Sequence, residues 1–251
     1  MAANTLQGKI AIITGATKGI GKATAIAFAR LGATVVMNYF SDEEAAKDAL
    51  AEVRNLGAGQ GVLARADVGS VAGVQSLVKQ TVDAYERIDV VVANAGIMPM
   101  KDLEHTTEED FDHAFAVNVK GPYFLAQAAA PYMARGSHII FLSTSLCTFS
   151  LVTPHYLLYN STKGAVEQMA RVMSKDLGGS GKGILVNAVA PGPTGTELFF
   201  RGKSEELLGT IAGLSPHGRI GTPEEVAESV AYLAQTSWVS GQVLRVNGGM
   251  A

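Results

Sequence analysis

Tyr159 and Lys163 lie four residues apart in Leu157–Leu177, where the apolar spacing predicts a helix, so they share one helix face. A phenol with a pKa near ~10 is a poor acid–base group at neutral pH. A neighbouring ammonium favours the phenolate, which suits the pair to giving a proton to a carbonyl oxygen under reduction. Tyr156 has Asn160 four residues on and lacks that cation. A second constellation is Thr14-Gly15-Ala16-Thr17-Lys18-Gly19-Ile20-Gly21. Its glycines allow a tight turn and close approach of backbone to a pyrophosphate, and a helix N-terminus after it favours the negative charge.

These groups need a scaffold, and the apolar pattern supplies one. Short β-branched runs alternate with amphipathic stretches. Strands are expected at Lys9–Thr14, Thr34–Asn38, Gly61–Arg65, Ile88–Ala93, His138–Leu142, Ile184–Val189 and Val243–Val246. Helices are expected at Ile20–Leu31, Glu43–Leu56 (closed by Gly57), Val71–Tyr85, Glu108–Met133, Leu157–Leu177 and Glu224–Ala234. Gly121-Pro122 should kink the long Glu108–Met133 helix. Strands this apolar are buried on both faces, as in a parallel sheet covered by helices. End-to-end alternation therefore predicts one doubly wound α/β domain over residues 1–251. The Gly- and Pro-rich segment at about 193–222 carries Leu198, Phe199, Phe200, Leu207 and Leu208 and reads as a substrate lid.

Composition excludes several classes. The formal net charge is −3, which argues against a nucleic-acid binder. The five histidines do not pair at zinc spacings, so no metal is expected. Cys147 is the single cysteine, which fits a reducing compartment, and MAANTLQGK has no apolar h-region; a cytoplasmic location is expected. No stretch reads as a membrane span. Charged residues are only 17% of the chain, so part of the surface is expected to be covered between subunits.

The tip after the second strand bears on dinucleotide choice. An NAD site normally places a carboxylate there, but this tip reads Asn38-Tyr39-Phe40-Ser41, with Asp42 at the start of the next helix. Lys18 lies in the glycine turn, where an ammonium can meet a 2′-phosphate, so NADP(H) is expected; Ser41 is otherwise a helix N-cap. Asp67-Val68 at the end of strand three and Asn94-Ala95-Gly96 at the end of strand four are further expected cofactor contacts.

The glycine turn, Asn94-Ala95-Gly96, Asn118, the serines after strand five, Tyr159-Asn160-Ser161-Thr162-Lys163 and Pro191-Gly192 occur in one order. With the ending Gly241-Gln242-Val243 and Asn247-Gly248-Gly249, this set resembles the short-chain dehydrogenase/reductase family over essentially the whole chain. The resemblance implies a single-domain Rossmann fold with a seven-stranded parallel sheet. It implies a tetrad in which Tyr159 donates the proton, Lys163 binds the nicotinamide ribose and lowers the tyrosine pKa, a serine bonds the substrate oxygen, and Asn118 holds a water linked to the lysine. The family serine precedes the tyrosine by 13 or 14 residues; Ser145 lies 14 before Tyr159 and Ser143 lies 16 before, so Ser145 is the candidate and Thr144 is expected on the opposite side. Pro191, Gly192 and either Thr194 or Thr196 are implied contacts of the nicotinamide carboxamide, and a homotetramer is implied.

The implied activity is NADPH-dependent reduction of a ketone, with an apolar or aromatic substrate favoured and a 3-oxoacyl thioester as the alternative. A non-catalytic cofactor sensor on the same fold would have lost the tyrosine or the lysine, and both are present. The cofactor reading makes a kinetic prediction. Wild type favours NADPH over NADH in kcat/KM, Lys18→Ala selectively weakens NADPH use by roughly 10-fold or more, and Tyr39→Asp moves the preference toward NADH. Steady-state kinetics with both cofactors at one ionic strength checks this; a wild-type preference for NADH would overturn the reading of the tip.

Overall fold

In the structure, a computed structural model, residues 6–56, 59–179 and 181–251 are described; Gly57 lies outside them. Seven strands form one sheet in the order β3-β2-β1-β4-β5-β6-β7. They are β1 (Ile10–Ile13), β2 (Thr34–Tyr39), β3 (Gln60–Arg65), β4 (Val90–Ala93), β5 (His138–Leu142), β6 (Leu185–Pro191) and β7 (Val243–Val246). Every neighbouring pair is parallel. The strand order reverses between β1 and β4, and ligands of such sheets bind outside the carboxyl ends at that point.

Nine helices are described: α1 (Gly19–Arg30), α2 (Glu43–Arg54), α3 (Val71–Tyr85), α4 (Glu108–Phe115), α5 (Gly121–Ala129), α6 (Leu157–Gly179), α7 (Glu197–Phe200), α8 (Glu205–Gly213) and α9 (Pro223–Leu233). Successive strand residues face opposite sides, so Ala11 and Ile13 join one core while Ile12 joins the other. The first core packs α1, α2 and α9 through Phe28, Leu50, Val53, Val226 and Val230. The second packs α3, α5 and α6 through Leu77, Leu125, Val166 and Ala170. Local chemistry starts the helices where the sequence suggests. Asp42 rather than Ser41 caps α2 by accepting from Ala45 N, Ser70 caps α3, and Thr107–Asp110 and Thr222–Glu225 form capping boxes.

One expectation is corrected. The irregularity in Glu108–Met133 is a π-turn over Ala116–Lys120, upstream of Gly121-Pro122. Pro122 has no N–H for the carbonyl four residues back, Asn118 O, and Gly121 N reaches instead to Ala116 O. The segment expected to act as a lid contains α7 and α8, capped by Thr196 and Ser204, and its base is closed by a bridge between Thr194 and Gly221.

At the amino ends of the strands, His138 begins β5 with 6% exposure, and among the described residues its Nδ1 has no hydrogen-bond partner. Burial, with a smaller contribution from Lys9, holds its pKa down at about 4 against an ordinary 6.5. Between those values the unfolded chain binds a proton that the folded chain does not, so stability falls as pH drops through that window. His138→Leu should therefore lose about 2–3 kcal/mol less than wild type between pH 7 and pH 4.5, read from urea unfolding. Equal losses in both proteins would contradict the assignment.

Candidate active site

The glycine turn is held from two sides. Thr14 Oγ1 accepts from Asn94 N and Ala95 N, each at 3.0 Å, and Asn94 Nδ2 donates to Thr14 O at 2.9 Å and Gly15 O at 3.1 Å. Asn38 Oδ1 accepts from Gly15 N, while Asn38 Nδ2 donates to Ala64 O and Ala66 O. Asn38 is buried, so its side chain braces the turn rather than facing a ligand. A Cβ on Gly21 would lie 2.2 Å from Gly15 O, which explains why glycine stands there. No side chain caps the start of α1 and its first turn has no acid, leaving a helix N-terminus suited to an anion.

Lys18 is half-exposed and lies 2.8 Å from Asp42 and 3.4 Å from Glu197 of α7. Those carboxylates raise its pKa, Asp42 most. The strand-two tip is thus neutral in sequence but has Asp42 folded back onto the lysine. Arg65, which belongs to no sequence motif, donates from Nε to Phe40 O at 3.2 Å and so places a second cation beside Tyr39 and Ser41. Its signal lies in the register, which sets Arg65 opposite Tyr39. Asp67 accepts from Gly69 N in a tight turn, and Val68 sits beneath Gly121.

Lys163 is buried, and its Nζ donates to Leu142 O at 2.7 Å. Burial lowers its pKa to about 8. Its Nζ stands 5.7 Å from the centre of the Tyr159 ring. Burial pushes the Tyr159 phenol above its ordinary value. Thr144, expected on the opposite side, lies close enough to Tyr159 to lower its pKa, a smaller effect than burial. Ser145 is buried and donates to Ala190 O at 2.9 Å, whereas Ser143 turns to Glu167 at 2.9 Å. Asn118 is fully buried; its amide brackets Ile97, accepting from its N at 2.9 Å and donating to its O at 2.8 Å, and donates also to Thr162. That side chain orders the loop after β4.

One cleft of about 810 Å³ joins these groups. Gly15, Lys18, Gly19, Ile20, Asn94, Ala95 and Gly96 line one end. Ser145, Tyr159, Lys163, Pro191, Gly192, Thr194 and Thr196 line its middle. The lid residues Leu198, Phe199, Leu207 and Ile211, with Met98, Phe149 and Met250, close the other end. Thr194 donates to Gly192 O, and Thr196 caps α7 and packs over Gly19. Thr17, Gly21, Asn38, Tyr39, Ser41, Asp67, Val68 and Asn118 stand outside the lining. Among the described residues no cluster suits a metal ion, and no helix is long and apolar enough to cross a membrane.

This arrangement can hold a dinucleotide along the strand ends and present a proton donor to a group beside it. Comparison with known proteins defines the class. A family model described as enoyl-(acyl carrier protein) reductase matches residues 15–251. An Arabidopsis thaliana protein named NADPH-dependent aldehyde reductase-like protein, chloroplastic, is 39% identical, covering 97% of this chain and 94% of its own. Versicolorin reductase of Emericella nidulans is 36% identical, covering 97% and 96%. A solved short-chain dehydrogenase from Burkholderia cenocepacia, in complex with NADP, superposes with a TM-score of 0.90 at 29% identity, covering 98% of both chains. The chain belongs to the short-chain dehydrogenase/reductase family and is an oxidoreductase acting on C=O or CH–OH groups.

Proposed function

We propose that this protein is an NADPH-dependent reductase of a bulky, apolar or aromatic ketone. The observation that carries the reading is the continuity of one cleft from the glycine turn, past Tyr159 and Lys163, to the apolar lid. Lys18, Arg65 and the bare N-terminus of α1 fit a phosphorylated dinucleotide, and the Burkholderia relative holds NADP. When bound, the reduced nicotinamide supplies the hydride. The apolar wall and the likeness to versicolorin reductase support the substrate class. The 3-oxoacyl thioester is the second reading, favoured by the carrier-protein description of the matching family.

The protein's own residues complete the reaction. Burial keeps Tyr159 a neutral phenol, which holds the proton that the reduced oxygen needs. Lys163, fixed by Leu142 O, offers a positive charge beside the phenolate that remains. Ser145 can turn its O–H from Ala190 O toward the substrate oxygen, and Ser143 is committed to Glu167. The aromatic groove of α4 and α5, with Phe115, Tyr123 and Phe124, supports the expected homotetramer, which sedimentation velocity tests.

Tyr159→Phe should retain NADPH binding and lower turnover by roughly 10²–10⁴, the usual worth of a positioned acid. Ser145→Ala should lower kcat far more than Ser143→Ala. Kinetics on a ketone panel, followed by the loss of NADPH absorbance, decides both. Near-normal turnover by the Tyr159 variant would remove its role as proton donor, and the reverse order of the serines would move the substrate contact to Ser143.

A further inference from the structure

Ser145 opens a short 3₁₀ turn, Ser145–Cys147, between β5 and α6. Its O–H is held by Ala190 O at 2.9 Å. Turning that O–H toward a substrate gives up this bond, and other contacts must then keep the turn in place. Three contacts do so. Thr144 Oγ1 accepts from Leu146 N at 3.3 Å, within the turn itself. Thr148, an exposed residue, donates from Oγ1 to Ser145 O at 3.3 Å and accepts from Arg245 Nε of β7 at 3.1 Å. Asn160 Nδ2 donates to Leu146 O at 3.2 Å. Of these three, the Asn160 bond alone joins the turn to α6, the helix that carries Tyr159.

Asn160 directly follows Tyr159, so it points about 100° round the helix from the proton donor. Leu146 lines the cleft and Asn160 stands outside the lining, so its amide meets the wall rather than a ligand. The amide carries a cost. Asn160 Oδ1 is buried and, among the described residues, has no hydrogen-bond partner. Flipping the amide would set that oxygen against Leu146 O, so the donor is fixed toward the turn. A leucine would fill a similar space without an orphaned acceptor. A buried polar atom kept at that cost calls for a use beyond stability.

We propose that Asn160 is a positioning residue, which ties the Ser145 turn to the helix bearing Tyr159 and keeps the two hydroxyls in register when Ser145 leaves Ala190 O for the substrate. This deepens the reductase reading and rests on it for the contact of Ser145 with the substrate oxygen. Both hydroxyls meet one oxygen in the transition state, so the tie acts on kcat more than on KM. Thr148 is exposed, and water can take over its bond. Asn160 is half-buried with its oxygen shut off from water, and lacks that replacement.

The test is a double-mutant cycle. The rate of NADPH oxidation is read with enzyme in excess of NADPH, against increasing concentrations of the best ketone of the panel, so that slow variants are measurable. Wild type, Asn160→Leu, Asn160→Ala, Thr148→Ala and Ser145→Ala are compared, with each Asn160 change repeated in the Ser145→Ala background. Asn160→Leu and Asn160→Ala should each lower the limiting rate by roughly 2- to 12-fold, the worth of one hydrogen bond, with little change in half-saturating ketone. Within Ser145→Ala the same changes should cost less than about 2-fold, because the residue acts through Ser145. Thr148→Ala should cost less than either. The Tm of Asn160→Leu should stay near wild type, since one orphaned oxygen is exchanged for another. The proposal is overturned if both Asn160 variants keep the wild-type rate, or if they lose the same factor with and without Ser145. If Ser145→Ala itself keeps wild-type turnover, the serine contact of the reductase reading fails and the proposal falls with it.

Discussion

The buried ammonium of Lys163 finds its partner in the carbonyl of Leu142, the last residue of β5. A buried charge left alone costs several kcal/mol, so this bond is obligatory. It fixes α6 against the carboxyl end of the strand, and Ser143 adds a second tie from the next residue to Glu167, one turn further along the helix. With α6 so placed, Tyr159 faces the cleft beside Thr144, and Ser145 lies two residues beyond the tie. The same edge of the sheet carries the ends of β1 and β4, clamped by Thr14 and Asn94. Parallel strands bring these ends together from positions 80 residues apart in the chain.

Burial that secures the lysine also sets the chemistry. It depresses the ammonium to about 8 and raises the phenol, so each group is biased toward its neutral form. A neutral phenol is the form that gives a proton. On the proposed reading, the cost of the resulting phenolate falls on Lys163 and on any positive charge a cofactor brings, so proton transfer depends on a filled cleft. The lid shares in this coupling: Glu197 on α7 reaches Lys18 in the glycine turn, and Thr196 covers Gly19.

Much of this is legible in the residues. Strand positions follow from runs such as Val90–Ala93, and the Tyr159–Lys163 pair from helical spacing. The family offset from Tyr159 favours Ser145 over Ser143, and in the structure Ser143 donates to Glu167 while Ser145 donates to Ala190 O. What the sequence hides is contact between distant segments. Asp42 folding onto Lys18, Arg65 reaching Phe40, and Thr144 meeting Tyr159 depend on register and side-chain direction, which periodicity does not encode. The π-turn is partly hidden: Pro122 removes a donor, but the close approach of Gly121 to Val68 O joins segments distant in the chain. The caps Thr196 and Ser204, with acids following, do signal α7 and α8.

On the proposed reading, one cleft brings a nicotinamide hydride and the Tyr159 proton to opposite ends of the same carbonyl bond. The most direct test is reduction of the best ketone of the panel in ordinary water with NADPH deuterated at its transferable position, followed by mass spectrometry and NMR of the alcohol. One deuterium on the carbinol carbon is expected. An alcohol carrying no deuterium at that carbon would contradict the transfer.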